Sequence, residues 1–312
     1  MGRPLASRLN WPALLVVALL AVGAGGQASE WRQHTPLSDP RSEVAAATVA
    51  GEIVVVGGFV ATGASSSRVD AYSVAGDSWH RLPDLPVAVD HASAASSGGR
   101  IYVAGGYGAD RKPLRTAFVL DGDAWRRLPL MPDGRAAAAA AIAHGRLYVV
   151  GGRNSRRLLA RDAFALTLGG KSWTRIPGPM PREHLAAAAS RDRVYAIGGR
   201  AAGIDSNTTA FQVYDAGARR WQRLAPLPGP RGGTGAAAVG GRIISVGGEE
   251  PAGTIESVFA YDVRGRRWAR LADLPTPRHG LGVIAADNRV WAVAGGPVPG
   301  LTVSGAIESL KP

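Results

Sequence analysis

The side chains best suited to chemistry sit at irregular positions. His91 follows Asp90, His184 follows Glu183, His279 follows Arg278, and Glu249 lies in the run Gly247-Gly248-Glu249-Glu250-Pro251. An imidazole exchanges protons near neutral pH and is a common metal ligand. A carboxylate placed near an arginine suits general acid/base work on an anionic substrate. Phe59, Tyr107, Arg153 and Arg200 each follow a glycine pair, as Glu249 does. Planar guanidinium forks grip carboxylates through two parallel bonds, and an aromatic ring can face a sugar or a peptide side chain. Brought together, these residues would form a pocket for an anion or a carbohydrate.

Composition narrows the chemistry. The 312 residues contain no Cys, which removes disulfides, thiolate zinc sites and a cysteine nucleophile. The spacing of a phosphate-cradling glycine loop that ends in Lys is absent, as are His-Glu-x-x-His and Gly-x-Ser-x-Gly. No cofactor is expected. With 46% apolar and 19% charged residues the chain can bury a sizeable core.

What must position these residues is a repeat. Short apolar runs end in glycine pairs at Gly57-Gly58, Gly105-Gly106, Gly151-Gly152, Gly198-Gly199 and Gly247-Gly248, with Ala294-Gly295 in the sixth place, at spacings of 48, 46, 47, 49 and 47. Trp31, Trp79, Trp125, Trp173, Trp221 and Trp268 keep the same beat, and so do Arg41, Arg135, Arg182, Arg231 and Arg278, with Val89 in the second unit. Each unit reads as four short strands bounded by Gly, Pro and Asp. The first is rich in Ala and Gly, as over residues 136–141 and 235–238, which suits strands crowded at an axis. The second runs into the glycine pair, where the missing Cβ permits close approach. The third carries runs such as Val213-Tyr214-Asp215, and the fourth opens with the Trp, as over residues 79–83.

On the glycine pairs, the Tyr-Asp runs and the spaced Trp, residues 29–312 resemble the kelch-repeat family. The resemblance implies an all-β, six-bladed propeller with four antiparallel strands per blade. The sixth unit reaches a third strand near residues 304–310 and has no fourth, whereas residues 30–33 form an orphan Trp-bearing strand. The N-terminal strand is therefore expected to close the last blade and hide two sheet edges.

Antiparallel neighbours alternate direction, so the start of each first strand and the end of each second strand share one mouth of the channel. Tyr107, Arg153, Arg200, His91, His184 and His279 are expected there as ligand contacts, together with Arg135, Arg182, Arg231 and Arg278. The repeated arginines keep a second reading, since a residue present once per repeat usually serves stacking and can satisfy loop carbonyls. His91 and His184 occupy equivalent places in blades two and four. No His-x-x-x-His pair occurs, and a six-bladed channel is expected to hold opposite strands widely apart, so no metal site is expected.

The kelch resemblance includes secreted copper radical oxidases of the galactose oxidase type, whose crosslinked cysteine is missing here. It includes N-acetylneuraminate epimerases, in which a Glu after a Gly-Glu turn works near an Arg. Glu249 is similar and would be the catalytic acid/base, with Arg200 or Arg231 holding the carboxylate, although Thr254 and Ile255 stand where that family carries its Arg. It also includes ubiquitin-ligase adaptors that bind acidic peptides through Arg with Ser or Tyr.

Residues 1–28 read as a secretory signal peptide: Arg3 and Arg8, the apolar stretch 12–22, then small residues ending at Ala28. The apolar stretch is shorter than the roughly 18 residues of a membrane span, so no stable span is expected after cleavage. A periplasmic or secreted location follows. The cationic surplus is 36 − 24 = 12, and 10 once Arg3 and Arg8 are removed. Export argues against nucleic acid as a partner. The expected function is an exported binding module for an acidic glycan or acidic protein segment at the Arg-rich mouth, with a sialic-acid-type mutarotase as the alternative.

Overall fold

The computed structural model describes Met1, Gly2 and residues 30–312; the leader expected over residues 1–28 otherwise lies outside the described residues. Six four-stranded antiparallel sheets surround a channel. In blade one, Ala45–Val49, Glu52–Val56, Val69–Ser73 and Ser78–Leu82 pair in chain order. The other innermost strands are Ser93–Ser97, Ala139–Ala143, Ala186–Ser190, Gly235–Val239 and Gly282–Ala286. In blade six, Gly282–Ala286, Arg289–Val293 and Ile307–Leu310 are completed by Trp31–Gln33, with Trp31 opposite Leu310. Among the described residues the only helical element is a single 3-10 turn, Ile204–Ser206, and no helix is long and apolar enough to cross a membrane.

Two sets of hydrogen bonds join neighbouring blades. Near the channel, the second residue of each glycine pair donates its N–H to the next blade. Gly58 reaches Val89 O, Gly106 Arg135 O, Gly152 Arg182 O, Gly199 Arg231 O and Gly248 Arg278 O, and Gly295 closes the ring on Arg41 O, all at 2.8–2.9 Å. A Cβ on Gly105 would lie 2.1 Å from Arg135 O, which explains why the first member of the pair is glycine. At the rim each repeat Trp donates its indole N–H to the preceding blade. Trp79 bonds Thr35 O, Trp125 Pro83 O, Trp173 Pro129 O, Trp221 Pro177 O and Trp268 Ala225 O, and Trp31 bonds Ala272 O across the seam.

Apolar faces fill the wedges between the two rings. Val54, Val56 and Ala71 of blade one pack on Ile101, Val103 and Phe118 of blade two, and Val89 joins this cluster. The lock uses a main-chain carbonyl, so Val can stand where the other blades carry Arg.

Two strands begin later than the sequence suggests. The innermost strand of blade three is Ala139–Ala143 rather than 136–141, because Ala136 bridges Arg153 and Ala137 turns with φ 50°. The third strand of blade six starts at Ile307, because Ser304 bridges Arg41 instead.

Arg278 and Glu308 form an ion pair at 2.7 Å with both side chains almost wholly out of water. Arg278→Leu strands the carboxylate with Thr276 as its remaining side-chain donor. A loss of about 3–5 kcal/mol is expected, read as a lower urea midpoint at unchanged m. Replacing Glu308 by Leu as well should restore part of it; a loss under about 1 kcal/mol in the single variant would contradict this role.

Candidate functional site

Three consecutive residues in each blade have three different fates. The first is the Arg (or Val89) whose carbonyl locks the blades. The second bridges the residue after the glycine pair: Ser42 with Phe59, Asp90 with Tyr107, Ala136 with Arg153, Glu183 with Arg200, Gly232 with Glu249 and His279 with Gly296. The third is Glu43, His91, Ala137, His184, Gly233 or Gly280, and all six have φ between 50° and 66°. Successive members are joined by backbone bonds, His91 N to Glu43 O, Ala137 N to His91 O, His184 N to Ala137 O, Gly233 N to His184 O and Gly280 N to Gly233 O, at 2.9–3.0 Å; Val44 N closes on Gly280 O at 3.2 Å. Left-handed φ costs a side-chain-bearing residue about 1–3 kcal/mol, so Glu43, His91 and His184 hold a conformation that glycine would adopt freely.

Those three side chains meet in the mouth. The expectation of widely separated histidines is corrected: His91 Nε2 and His184 Nε2 lie 3.0 Å apart. The first strands are rich in Ala, and the facing positions are Ala137, Gly233 and Gly280, so two imidazoles from non-adjacent blades can reach one another. Glu43 Oε2 is 3.3 Å from His91 Nε2, and Glu43 Oε1 is 3.2 Å from His279 Nδ1. Behind this group, Asp90 Oδ1 lies 2.6 Å from His91 Nδ1, and Glu183 Oε1 lies 3.5 Å from His184 Nδ1.

The partners dictate the protons. A carboxylate only accepts hydrogen bonds, so Nδ1 of His91 carries a proton toward Asp90, while Nδ1 of His184 faces Glu183 without a formed hydrogen bond. The two Nε2 atoms, 3.0 Å apart, share a single proton. The electrostatics favour its place on His91. Burial alone would lower His91, but Glu43 and Asp90 outweigh it and raise its pKa. Burial dominates at His184 and lowers its pKa despite Glu183. Burial also opposes ionisation of Glu43, yet His91, His279 and His184 hold its carboxyl far below the ordinary range.

Around this centre the cations are already engaged. Arg200 Nη1 bonds Glu249 Oε1 at 2.7 Å, and Arg153 bonds Glu183 through Nε. Burial pushes Glu183 up, but His184 and Arg153 bring it to about 2. His279 lies 3.8 Å from Glu249 and donates its Nε2–H to Val298 O, while Gly300 N approaches Glu249 Oε2 at 3.4 Å. Tyr107 and Phe59 flank Arg111, with its guanidinium carbon 4.7 and 5.0 Å from the two ring centres and Nη1 2.5 Å from Asp90.

Arg135, Arg182, Arg231 and Arg278, expected among the ligand contacts, are placed elsewhere. Their side chains are sealed inside the blades beside Arg41 and are at most 1% exposed. Arg182 bonds Met180 O, Ala196 O, Gly198 O and Gln212; Arg231 bonds Ser257 O and its hydroxyl. Arg135 pairs with Asp162 and Arg278 with Glu308. Arg231 therefore cannot hold a substrate carboxylate in the mouth. Tyr107, Arg153, Arg200, His91, His184, His279 and Glu249 are brought together. Two residues of the cluster were not singled out from sequence: Glu43, although it occupies the same repeat place as His91 and His184, and Arg111, which sits in a non-repeating loop.

The cavity at this mouth is small, about 130 Å³, lined by Glu43, His91, His184 and the Ala- and Gly-rich first strands. The opposite opening, about 330 Å³, is lined by Ala with Thr48, Ser96 and a few aliphatic residues and carries no charge.

Comparison with known proteins yields one consistent similarity. The description of the KLHDC2/KLHL20/DRC7 Kelch-repeats domain matches residues 25–199, and that of the Kelch motif matches residues 230–275. Kelch-like protein terF of Aspergillus terreus is 30% identical over 240 residues, 70% of this chain and 52% of terF. An F-box/kelch-repeat protein of Arabidopsis thaliana is 30% identical over 117 residues, 33% of this chain and 31% of that protein. The chain thus spans about half the length of terF and less of the Arabidopsis protein. The structure of YjhT is similar in fold, with a TM-score of 0.75 at 16% identity over 88% of this chain and 96% of YjhT.

The paired imidazoles predict opposite titrations. In buffer containing EDTA, imidazole NMR should place His91 above the ordinary value of about 6.5 and His184 below it, with Glu43→Gln lowering His91. The stability due to His91 is full below pH 6.5 and is lost as pH rises through its raised pKa, whereas His184, held neutral, loses stability as pH falls below 6.5. Two histidines titrating together at 6.5 would contradict the shared-proton arrangement.

Proposed function

Because this chain belongs to the kelch-repeat family, whose propeller is a scaffold for interaction, we propose that it is an exported module that binds an extended, carboxylate-bearing chain across the mouth. One observation carries this reading. The loops of blades two and three place Arg111, Lys112, Arg153, Arg156 and Arg157 side by side at the rim, tied by Arg157 Nη2 to Arg111 O at 2.9 Å. Four of the five, Arg111, Lys112, Arg156 and Arg157, are exposed; Arg111 is paired with Asp90 and Lys112 with Asp110. Tyr107 and Phe59 hold Arg111 against Asp90 beneath this rim.

The size of the cavity favours a ligand laid over the rim to one swallowed by the channel. Small-molecule pockets run to about 300–1,000 Å³, more than twice the space at this mouth. An acidic protein segment and an acidic glycan share the required chemistry. The leader read in residues 1–28 supports a location in the periplasm or outside the cell.

The alternative, a mutarotase for sialic-acid-type sugars, draws its support from Arg200 on Glu249 with His279 alongside. It requires the segment around Gly300 to move off Glu249. Anomeric interconversion followed by proton NMR, abolished by Glu249→Gln, would favour it over binding alone.

Calorimetric titration with polyglutamate and polygalacturonate at low salt tests the main reading. Binding should weaken at least about tenfold in Arg156→Glu/Arg157→Glu and fade as ionic strength approaches 0.15 M, where the Debye length is about 8 Å. Affinity for neither polymer, or affinity indifferent to salt and to the variants, would overturn it.

A further inference from the structure

We propose that Glu43, His91 and His184 bind one divalent first-row transition ion, Zn²⁺ foremost, on the channel axis at the mouth. The three ligand atoms all lie within 4.8 Å of one another. Zn–N bonds of about 2.0–2.1 Å set ligand-to-ligand separations of roughly 3.3 Å at tetrahedral angles and roughly 2.9 Å at right angles. The separations of 3.0 Å between the two Nε2 atoms and 3.3 Å between Nε2 of His91 and Oε2 of Glu43 fall within that span. A metal ion displacing the proton between the two imidazole nitrogens would satisfy both of them and the Glu43 carboxylate oxygen at once.

Each ligand also has the outer partner that metal sites use to fix orientation. Asp90 holds Nδ1 of His91, Glu183 faces Nδ1 of His184, and His279 meets the second oxygen of Glu43. Nδ1 of His184 is buried with no hydrogen-bond partner among the described residues and lies 3.5 Å from Glu183 Oε1, so a small shift toward Glu183 as the ring turns to a metal is unopposed. The rest of the axial ring is Ala137, Gly233 and Gly280, which leaves space for a water or an incoming group. A Cβ on Gly280 would lie 2.5 Å from Oε1 of Glu43, so this glycine keeps the carboxylate free to reach the axis. With three protein ligands and an open position the site has the composition of a catalytic or ligand-accepting zinc centre rather than a closed structural one. It stands independently of which acidic chain the rim binds.

The test uses purified, untagged full-length protein stripped with EDTA. Titration with Zn²⁺ by calorimetry should show one ion per chain, and Co²⁺ should give visible d–d absorption that Zn²⁺ abolishes. His184→Ala should weaken Zn²⁺ at least 100-fold. Glu43→Gln, which keeps the shape of the side chain and serves if the histidine variant misfolds, should weaken it about 10–100-fold. Glu183→Gln, a positioning change, should fall in the same range. One equivalent of Zn²⁺ should raise Tm in the native protein and not in Glu43→Gln. Absence of stoichiometric uptake by the native protein, or unchanged Zn²⁺ affinity in both Glu43→Gln and Glu183→Gln, would overturn the proposal.

Discussion

The carbonyl oxygen just ahead of each innermost strand is the atom on which the molecule depends. It accepts the N–H of the second residue in the neighbouring blade's glycine pair, and the ring of such bonds ends where it began, with Gly295 on Arg41. The lock demands that no side chain stand at the first position of most pairs, since main-chain oxygen occupies that space. Because the acceptor belongs to the backbone, the side chain of that same residue is released for another task. In five blades it is an arginine that ties together the carbonyls of its own blade, and in the second it is a valine that packs in the apolar wedge. Burial lowers the guanidinium of Arg182 to about 10, which still leaves it charged at neutral pH.

The lock also sets the geometry of the mouth. Two residues beyond the locking carbonyl the backbone must turn with left-handed φ, and the six turns bond to one another around the axis. A repeat protein with glycine or alanine at all six would have an unadorned opening. Here three of the six carry Glu43, His91 and His184, and the small residues among the others give them room. Repetition supplies the frame, and breaks in the repetition supply the chemistry.

That division explains what could be read from residues alone. Blade number, the strand order and the closing of the last blade by Trp31 were legible because glycine, tryptophan and arginine recur at a fixed period. The repeated arginines were ambiguous, since spacing fixes a position along a strand but not whether a guanidinium faces solvent or its own sheet. The contact between His91 and His184 was invisible to spacing because it depends on the channel's width, which is set by the volumes of Ala, Gly and Val on six strands together. Arg111 escaped notice because a residue in a non-repeating loop has no counterpart with which to be aligned; its place is fixed by the rings of Phe59 and Tyr107.

Closure of blade six by the strand Trp31–Gln33 makes the mouth a property of the whole circle. Glu43 belongs to the first blade, His184 to the fourth and His279 to the sixth, and their meeting depends on the curvature that Trp31 and Leu310 seal. A growing polypeptide on the ribosome would possess all of these groups and yet have nowhere for them to converge. Competence at the axis would therefore appear only once Leu310 has met its waiting partner Trp31.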